Sequence, residues 1–286
     1  MKNIRIILLA MFALSLSLQS CQKDELDTTQ AKDSSNEVEV AQEEIPEIIL
    51  NKLADFQINT DGIKKIDFYL PDGTTQEMYE VEGDIMLSEK QIMELELDNG
   101  VSNRNYSTNA LVSQNTVIDI IGYTGGGGFG LTQKERNGLQ WAVNNYNALN
   151  LSISFNLTYG TNYQPKDMVV YHNPNQSGSG GSAGFPSGGA PNKFIQVYGL
   201  DGFNTNVAEH VIGHEIGHSV GFRHTDWQTR QSCGQNVNEG TAGVGANPIP
   251  GTPAGYDPTS LMLACFSGST NGEFNSNDIT ALNYLY

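Results

Sequence analysis

Apolar residues are distributed along the 286-residue chain in four regimes, and each regime predicts a different kind of segment. Ile6 to Leu18 is almost wholly apolar, yet shorter than the roughly 20 residues a helix needs to span a bilayer. Lys23 to Leu50 has few apolar residues before Ile45; too little surface can be buried there to order the chain, and 21–50 reads as a solvated tether. From Ile45 to Leu97 apolar positions return. "KIDFYLPDGTTQEMYEVEGDIML" reads as strand, Pro-Asp-Gly turn and strand, and Ser88 with Gln91 has the spacing of a capping box opening a helix that runs to about Leu97. "DNGVSNRNYSTN", 98–109, is polar throughout and predicts a linker open to processing.

The fourth regime, Ala110 to Tyr286, alternates strand and helix periods. "TVIDIIGY", 116–123, is β-branched and predicts a strand, followed by a flexible "GGGGFG" loop that lacks the Lys-Ser/Thr ending of a phosphate-binding loop. Leu139, Ala142, Val143, Tyr146 and Leu149 recur at helical spacing within 132–149. "LSISFNLTY" alternates like a half-buried strand, "DMVVYH" is an unbroken run suited to the middle of a sheet, and "KFIQVYGL" predicts a further strand. The glycine-rich 177–191 reads as a surface loop. Asn204 to Val220 predicts a helix, with Val207, Val211, Ile212, Ile216 and Val220 on its apolar face and Asn204 or Thr205 as cap. This order gives an α/β fold, and no internal repeat is present.

Charge and cysteines refine the picture at the N-terminus. The formal net charge of -17 argues against nucleic acid as a partner. Lys2 and Arg5 ahead of Ile6–Leu18 make residues 1–20 an export signal. "LQSC" resembles the lipobox of bacterial lipoproteins, with Cys21 as the lipidated residue, and "CQKDE" resembles the tag that sends Bacteroidetes lipoproteins to the outer face of the outer membrane. An ordinary cleaved signal is the alternative. Contact with a membrane is then expected only through the lipid anchor, with release after processing as a variant. Outside the cytoplasm Cys233 and Cys265 can bond to each other; two buried free thiols are the other reading.

Four of the five histidines stand in "HVIGHEIGHSVGFRHTD", 210–226. His214 and His218 lie four apart on one helix face, a spacing suited to one tetrahedral zinc ion. Glu215 is rotated by about 100° from His214, beside the metal without being a ligand. Gly221 can adopt the left-handed conformation that ends a helix and returns His224 as a third ligand. Three neutral ligands leave a coordination position for water, the pattern of a catalytic rather than a structural zinc site. His210, one turn earlier, would close that position, so it is expected to support the site or fill the core. His172 reads as structural.

These residues, His214, Glu215, His218, Gly221 and His224, resemble the HExxHxxGxxH signature of metzincin metallopeptidases, with "SLM" and Met262 as the methionine turn. "HEIGHSVGFRHTDW", "IPGTP" at 249–253, "DPTSLM" at 257–262 and "SAGFPSGGAPNKFIQVY" are similar, more narrowly, to the protease B-like, dual-action HEIGH metallopeptidases over 110–286. The resemblance implies a mixed sheet of about five strands with two main helices, a zinc ion at the floor of a cleft, and a small C-terminal subdomain. It further implies that "KFIQVY" is the antiparallel edge strand on which a protein or peptide substrate lies extended. Ile279, Leu282 and Leu285 would pack a final helix, and 263–266 would border the pocket beyond the scissile bond. Residues 51–109 become a pro-segment and linker. Where some metzincins place a tyrosine two residues after the methionine, this chain has Ala264. Asp226 either orients a ligand or is an exposed loop residue.

The implied activity is peptide-bond hydrolysis by a zinc-bound water that Glu215 activates, Glu215 then passing the proton to the leaving amine. "VEGDI" resembles the Gly-Asp motif of astacin propeptides, in which the aspartate caps the zinc; Asp84 would do so here. Gly-Asp pairs are also common turn formers, and the turn is the preferred reading. The competing functions are a surface-binding lipoprotein that keeps the fold without catalysis, and a zinc hydrolase acting on cell-wall peptides. A monomer is expected, and no calcium site is derivable.

Overall fold

In a computed structural model of the protein, the described residues are 44–56, 58–95, 106–108, 110–235, 247–253 and 255–286. The export signal, Cys21, the tether up to residue 43 and most of the 98–109 linker lie outside them.

Glu47–Asp55 (α1), Lys64–Tyr69 (β1), Thr75–Val81 (β2), Ile85–Leu87 (β3) and Glu89–Glu94 (α2) form the N-terminal part. The three strands make an antiparallel sheet in sequence order, with Ile66 opposite Met78 and Tyr79 opposite Leu87. The hairpin closes because Asp72 Oδ1 accepts from the Thr74 amide (3.0 Å) and hydroxyl (2.6 Å), a local bond that substitutes for extended pairing. Ser88 and Gln91 make both bonds of the capping box. Helix α1 begins at Glu47, inside the segment read as tether: Ile49 and Leu53 are buried against Tyr79, Val81 and Ile92, so the order extends further upstream than composition indicated. Phe185, from the larger part of the chain, completes this cluster.

The larger part is built on a five-stranded mixed sheet of Val117–Tyr123 (β5), Ser154–Gly160 (β6), Met168–His172 (β7), Gly180–Ser182 (β8) and Phe194–Tyr198 (β9), in the order β6-β5-β7-β9-β8. The first four run parallel, and β8 is antiparallel to β9. This is the expected α/β class with the expected strand number, and β7 is central as its apolar run requires. Two expectations fail. "KFIQVY" is not the antiparallel edge: β9 pairs with β7 on one side and β8 on the other. The edge is β8, within the glycine-rich stretch read as a surface loop, and 180–186 is buried. Small residues let this strand pack closely against what lies above it, at the cost of any β-branched signal in the sequence.

Gln133–Asn147 (α3), capped by Thr132, packs against Thr205–Ser219 (α4), capped by Asn204, whose side chain accepts from the Val207 amide at 3.1 Å. Every residue of α4 from Val207 to Ser219 is buried, with Ile212 and Ile216 in the main core. A helix enclosed on all sides holds its side chains in fixed directions, which a metal site requires. Ser276–Leu285 (α5) buries Ala281, Leu282 and Leu285 against the same core. The end of the linker is also fixed: Tyr106–Ser107 (β4) pairs with Asn247–Pro248 (β10), and the Thr108 amide donates to the Gly221 carbonyl at 2.8 Å.

Candidate metal centre

Helix α4 presents His214 and His218 one turn apart, with ring centroids separated by 4.5 Å. Gly221 has φ +110°, a region that residues with a Cβ rarely enter, and the chain reverses there. His224 returns so that its Nε2 lies 3.2 Å from that of His218. The rings of His218 and His224 are fully buried, and that of His214 nearly so. The expected ligands are thus brought together.

The second ring nitrogens decide what the set can hold. Nδ1 of His214 donates to the Leu261 carbonyl (2.9 Å), and Nδ1 of His218 to the Phe222 carbonyl (2.8 Å). A carbonyl can only accept, so the proton sits on Nδ1 and the Nε2 lone pairs face one another. Nε2 of His214 is buried with no hydrogen-bond partner among the described residues. An orphaned buried acceptor beside two further imidazole nitrogens fits a divalent metal ion, and nitrogen donors of this kind suit zinc.

A fourth donor comes from 140 residues upstream. Asp84 Oδ2 lies 3.0 Å from His224 Nε2 and 3.5 Å from His214 Nε2, and ligand atoms of Asp84, His214, His218 and His224 all fall within 4.8 Å of one another. The preferred reading of Gly83-Asp84 as a plain turn is therefore incomplete. Gly83 does turn, with φ +88°, but the turn delivers the carboxylate to the histidines. Two backbone bonds hold this arrangement on the edge strand: the Ala183 amide donates to the Asp84 carbonyl (3.0 Å) and the Met86 amide to the Ala183 carbonyl (2.6 Å).

Glu215 is buried beside this group, and its Oε2 has no hydrogen-bond partner among the described residues. It packs on Gly181 of β8; a Cβ there would lie 2.6 Å from Glu215 Cγ. Burial, and then the charge of Asp84, push the Glu215 carboxyl well above its usual range. Burial lowers His218 well below the ordinary imidazole value, helped by His214 and His224. Burial acts on His224 in the same direction, but Asp84 and Glu82 override it and raise the imidazole to about 9. His210 is driven down to about 3 by burial and by His214; its Nδ1 bonds to Thr270 Oγ1 at 2.8 Å, and it is not part of the ligand group. His172 pairs with Glu135 at 2.8 Å, remote from this group.

The methionine turn is tied to α5. Asp278 accepts from Ser260 Oγ (2.7 Å) and from the Leu261 amide (2.9 Å), while the Leu261 carbonyl receives His214. Met262 is buried under α4, where a Cβ on Gly217 would lie 2.5 Å from its Sδ. Asp226 is neither exposed nor turned to a ligand: it accepts from the Ala264 (3.0 Å) and Ser232 (2.8 Å) amides and so holds the 226–235 loop to the segment after Met262. Cys233 and Cys265 are disulfide-bonded across the same junction. A cavity of about 510 Å³ opens beside the histidines, lined by Gly181, Tyr198, Phe203, His210, Leu263 and Phe266 among others.

Sequence reasoning missed Glu82 and Arg223. Both side chains are fully enclosed and paired with each other, and Glu82 Oε2 lies 3.6 Å from His224 Nδ1. Burial pushes the Glu82 carboxyl up, yet Arg223 and His224 bring it down to about 2. The one available signal was that "VEGDI" carries two carboxylates two residues apart and that an arginine precedes the third histidine.

Comparison with known proteins gives one family match: residues 79–286 fit the family described as dual-action HEIGH metallo-peptidase. Among solved structures, one titled "Structure of Myroilysin" is 14% identical, with a TM-score of 0.40, covering 62% of this chain and 82% of that one. A second, "Crystal structure of myroilysin", is 14% identical with a TM-score of 0.37, covering 68% and 95%. No curated protein matches.

Proposed function

The chain belongs to the dual-action HEIGH metallo-peptidases, and from that membership we propose that it is a zinc-dependent endopeptidase held latent by its own Asp84. The observation that carries this reading is the convergence of three imidazole nitrogens and the Asp84 carboxylate, within 4.8 Å of one another, beside buried Glu215, whose Oε2 has no hydrogen-bond partner among the described residues. Zinc, when held by His214, His218 and His224, supplies a Lewis acid for the scissile carbonyl and acidifies a water. Glu215 takes the proton of the attacking water and hands it to the leaving amine. Gly181 leaves Glu215 the room to do so. The Leu261 and Phe222 carbonyls keep the imidazoles in the tautomer that can bind metal.

Asp84 occupies the place that water needs, so departure of 51–109 is the activating event in this reading. The substrate then takes the outer edge of β8, where Asp84 and Met86 now bond to Ala183, and lies extended along it. We further propose that Cys21 carries the lipid that holds the protein at the outer membrane; the support is the sequence "LQSCQKDE" behind a short apolar signal.

Metal analysis of the purified full-length chain, with a peptide-library digest in the presence and absence of chelator, tests the reading. Zinc near one equivalent and chelator-sensitive cleavage after processing are expected. Stoichiometric zinc without cleavage of any peptide would instead favour a binding protein that keeps the fold.

A further inference from the structure

The cavity beside the histidines has two unlike ends. Asp84 and Glu215 line it next to His214, and Arg230 lines it where its Nη2 donates to the Glu82 carbonyl at 2.5 Å. The remaining walls are aromatic and apolar, formed chiefly by Tyr198, Phe203, Val211, Leu263 and Phe266. The His210 ring stands 6.5 Å from that of His214, Phe266 6.2 Å from His210, and Phe203 5.9 Å from Phe266, so each ring is one neighbour further from the metal ligands. Of the segment that activation removes, only residues 82–84 line this space, and the apolar walls stay when it leaves.

Two features make the apolar end a shaped slot. A Cβ on Gly180 of β8 would lie 3.7 Å from Tyr198 Oη and 3.9 Å from Phe266 Cε1, contact distance to both, so the missing side chain is what keeps the space between these rings open. The opposite wall is held in place, because Asp226 accepts from the Ala264 amide at 3.0 Å and Cys265 is bonded to Cys233. One polar group interrupts this lining away from the charged end. His210 is buried and lines the cavity, and its single hydrogen bond among the described residues runs from Nδ1 to Thr270 Oγ1 at 2.8 Å, which leaves Nε2 to bond with what enters. An apolar pocket with one placed polar atom orients its ligand through that atom.

We propose that His210 is a specificity-determining residue, whose Nε2 bonds the hydroxyl of a tyrosine side chain that a bound peptide places in this cavity. The inference rests on the peptidase reading above and names its substrate class: peptides with tyrosine at one of the two positions flanking the scissile bond, since Glu215 and His214 stand at the other end of the same space. The ring of that tyrosine lies between Tyr198 and Phe266, where aromatic faces and edges pack well. Its hydroxyl both donates and accepts, so it satisfies Nε2 in either tautomer that Thr270 allows. Phenylalanine fills the slot but leaves Nε2 without a partner. A carboxylate side chain would bring a charge against apolar walls, which is unfavourable.

The test uses the full-length, zinc-loaded chain after its linker has been cut, either by itself or by added trypsin, with loss of the pro-segment followed by mass. Peptides identical except for Tyr, Phe, Ala or Asp at each flanking position in turn are compared by kcat/KM. At one of the two positions Tyr is expected to exceed Phe at least about fivefold, the cost of a buried polar atom left unpaired, with Ala and Asp lower still. His210→Phe keeps a ring in the wall and removes the nitrogen, and should bring the Tyr-to-Phe ratio below about twofold. Gly180→Ala should shift preference from Tyr toward Ala by narrowing the slot. Equal cleavage of Tyr and Phe peptides by the wild type, or a Tyr-to-Phe ratio that survives His210→Phe, would overturn the assignment and leave the peptidase reading standing. Zinc-loaded protein that cleaves no peptide overturns both. Should His210→Phe fail to fold or to hold zinc, Thr270→Val, which frees Nδ1, should shrink the same ratio at least about twofold, and the wild-type comparison alone still decides whether the hydroxyl is preferred.

Discussion

Asp84 Oδ2 sits 3.0 Å from Nε2 of His224, closer than any other carboxylate oxygen comes to the histidine cluster among the described residues. The contact joins two residues 140 positions apart, and it puts a carboxylate among the imidazole nitrogens that would hold a metal ion. Its consequence is testable in the intact chain. Asp84→Ala should let the full-length protein cleave a reporter peptide at least about tenfold faster than wild type before any pro-segment is lost, because the carboxylate that would compete with water for a metal ion held by the histidines is gone. Initial rates with parallel mass measurements read this directly. Equal latency in the two proteins would mean that the rest of the pro-segment alone blocks the cleft.

Glu215 and Gly181 form a second pair with opposite demands on space. Glu215→Ala should retain zinc at the wild-type ratio while cleavage by the processed protein falls about 10²- to 10⁴-fold, the range for loss of a general base. Gly181→Ala puts a methyl 2.6 Å from Glu215 Cγ, so Glu215 must move, and activity should fall with zinc still bound. Metal analysis beside initial rates separates these effects. Zinc lost from Glu215→Ala would make the glutamate structural instead.

The parts that could be read from sequence are those whose chemistry is local. The 64–81 hairpin, the Ser88 capping box and helix α4 each follow from residues within a few positions of one another. His214, His218 and His224 are local too, since one helical turn and one glycine bring them together. Strand order is not local. β8 has no β-branched residue, so its place as the edge beside β9 left no periodic trace. The Glu82–Arg223 pair spans 141 residues, and either residue alone reads as an ordinary surface charge. Asp84 was ambiguous for the same reason: a turn and a ligand have identical local sequence, and the carboxylate's place beside His214 and His224 depends on the pairing of 84–86 with Ala183, 97 or more residues away in sequence.

Asp278 is expected to act on the metal through the methionine turn. It fixes Ser260 and Leu261, and the Leu261 carbonyl orients His214. Asp278→Ala should weaken metal retention about 10- to 100-fold, as loss of a group behind a metal ligand does. It should also lower stability by about 1–3 kcal/mol for the polar groups left unpaired. Competition against a chelator and thermal melting measure the two effects. Unchanged metal affinity with reduced stability would confine Asp278 to capping α5.

Glu209 carries a pH dependence that is independent of the metal ligands. It is buried on α4, accepts from Asn145 Nδ2 at 3.0 Å, and is raised to about 7 by burial and then by the charge of Glu273. The folded state thus binds this proton more tightly than the unfolded chain, whose glutamate titrates near the ordinary value. Stability from this group is complete below about pH 4.5, declines as the pH rises toward 7, and stays lost above it. Glu209→Gln keeps an oxygen for Asn145 and removes the charge. The variant should match wild type near pH 4.5 and exceed it by about 2 kcal/mol at pH 8, after allowance for local relaxation. Melting curves of both proteins at the two pH values cancel every other titrating group they share. A stability difference that is the same at both would show that Glu209 ionises in the folded state as easily as in water.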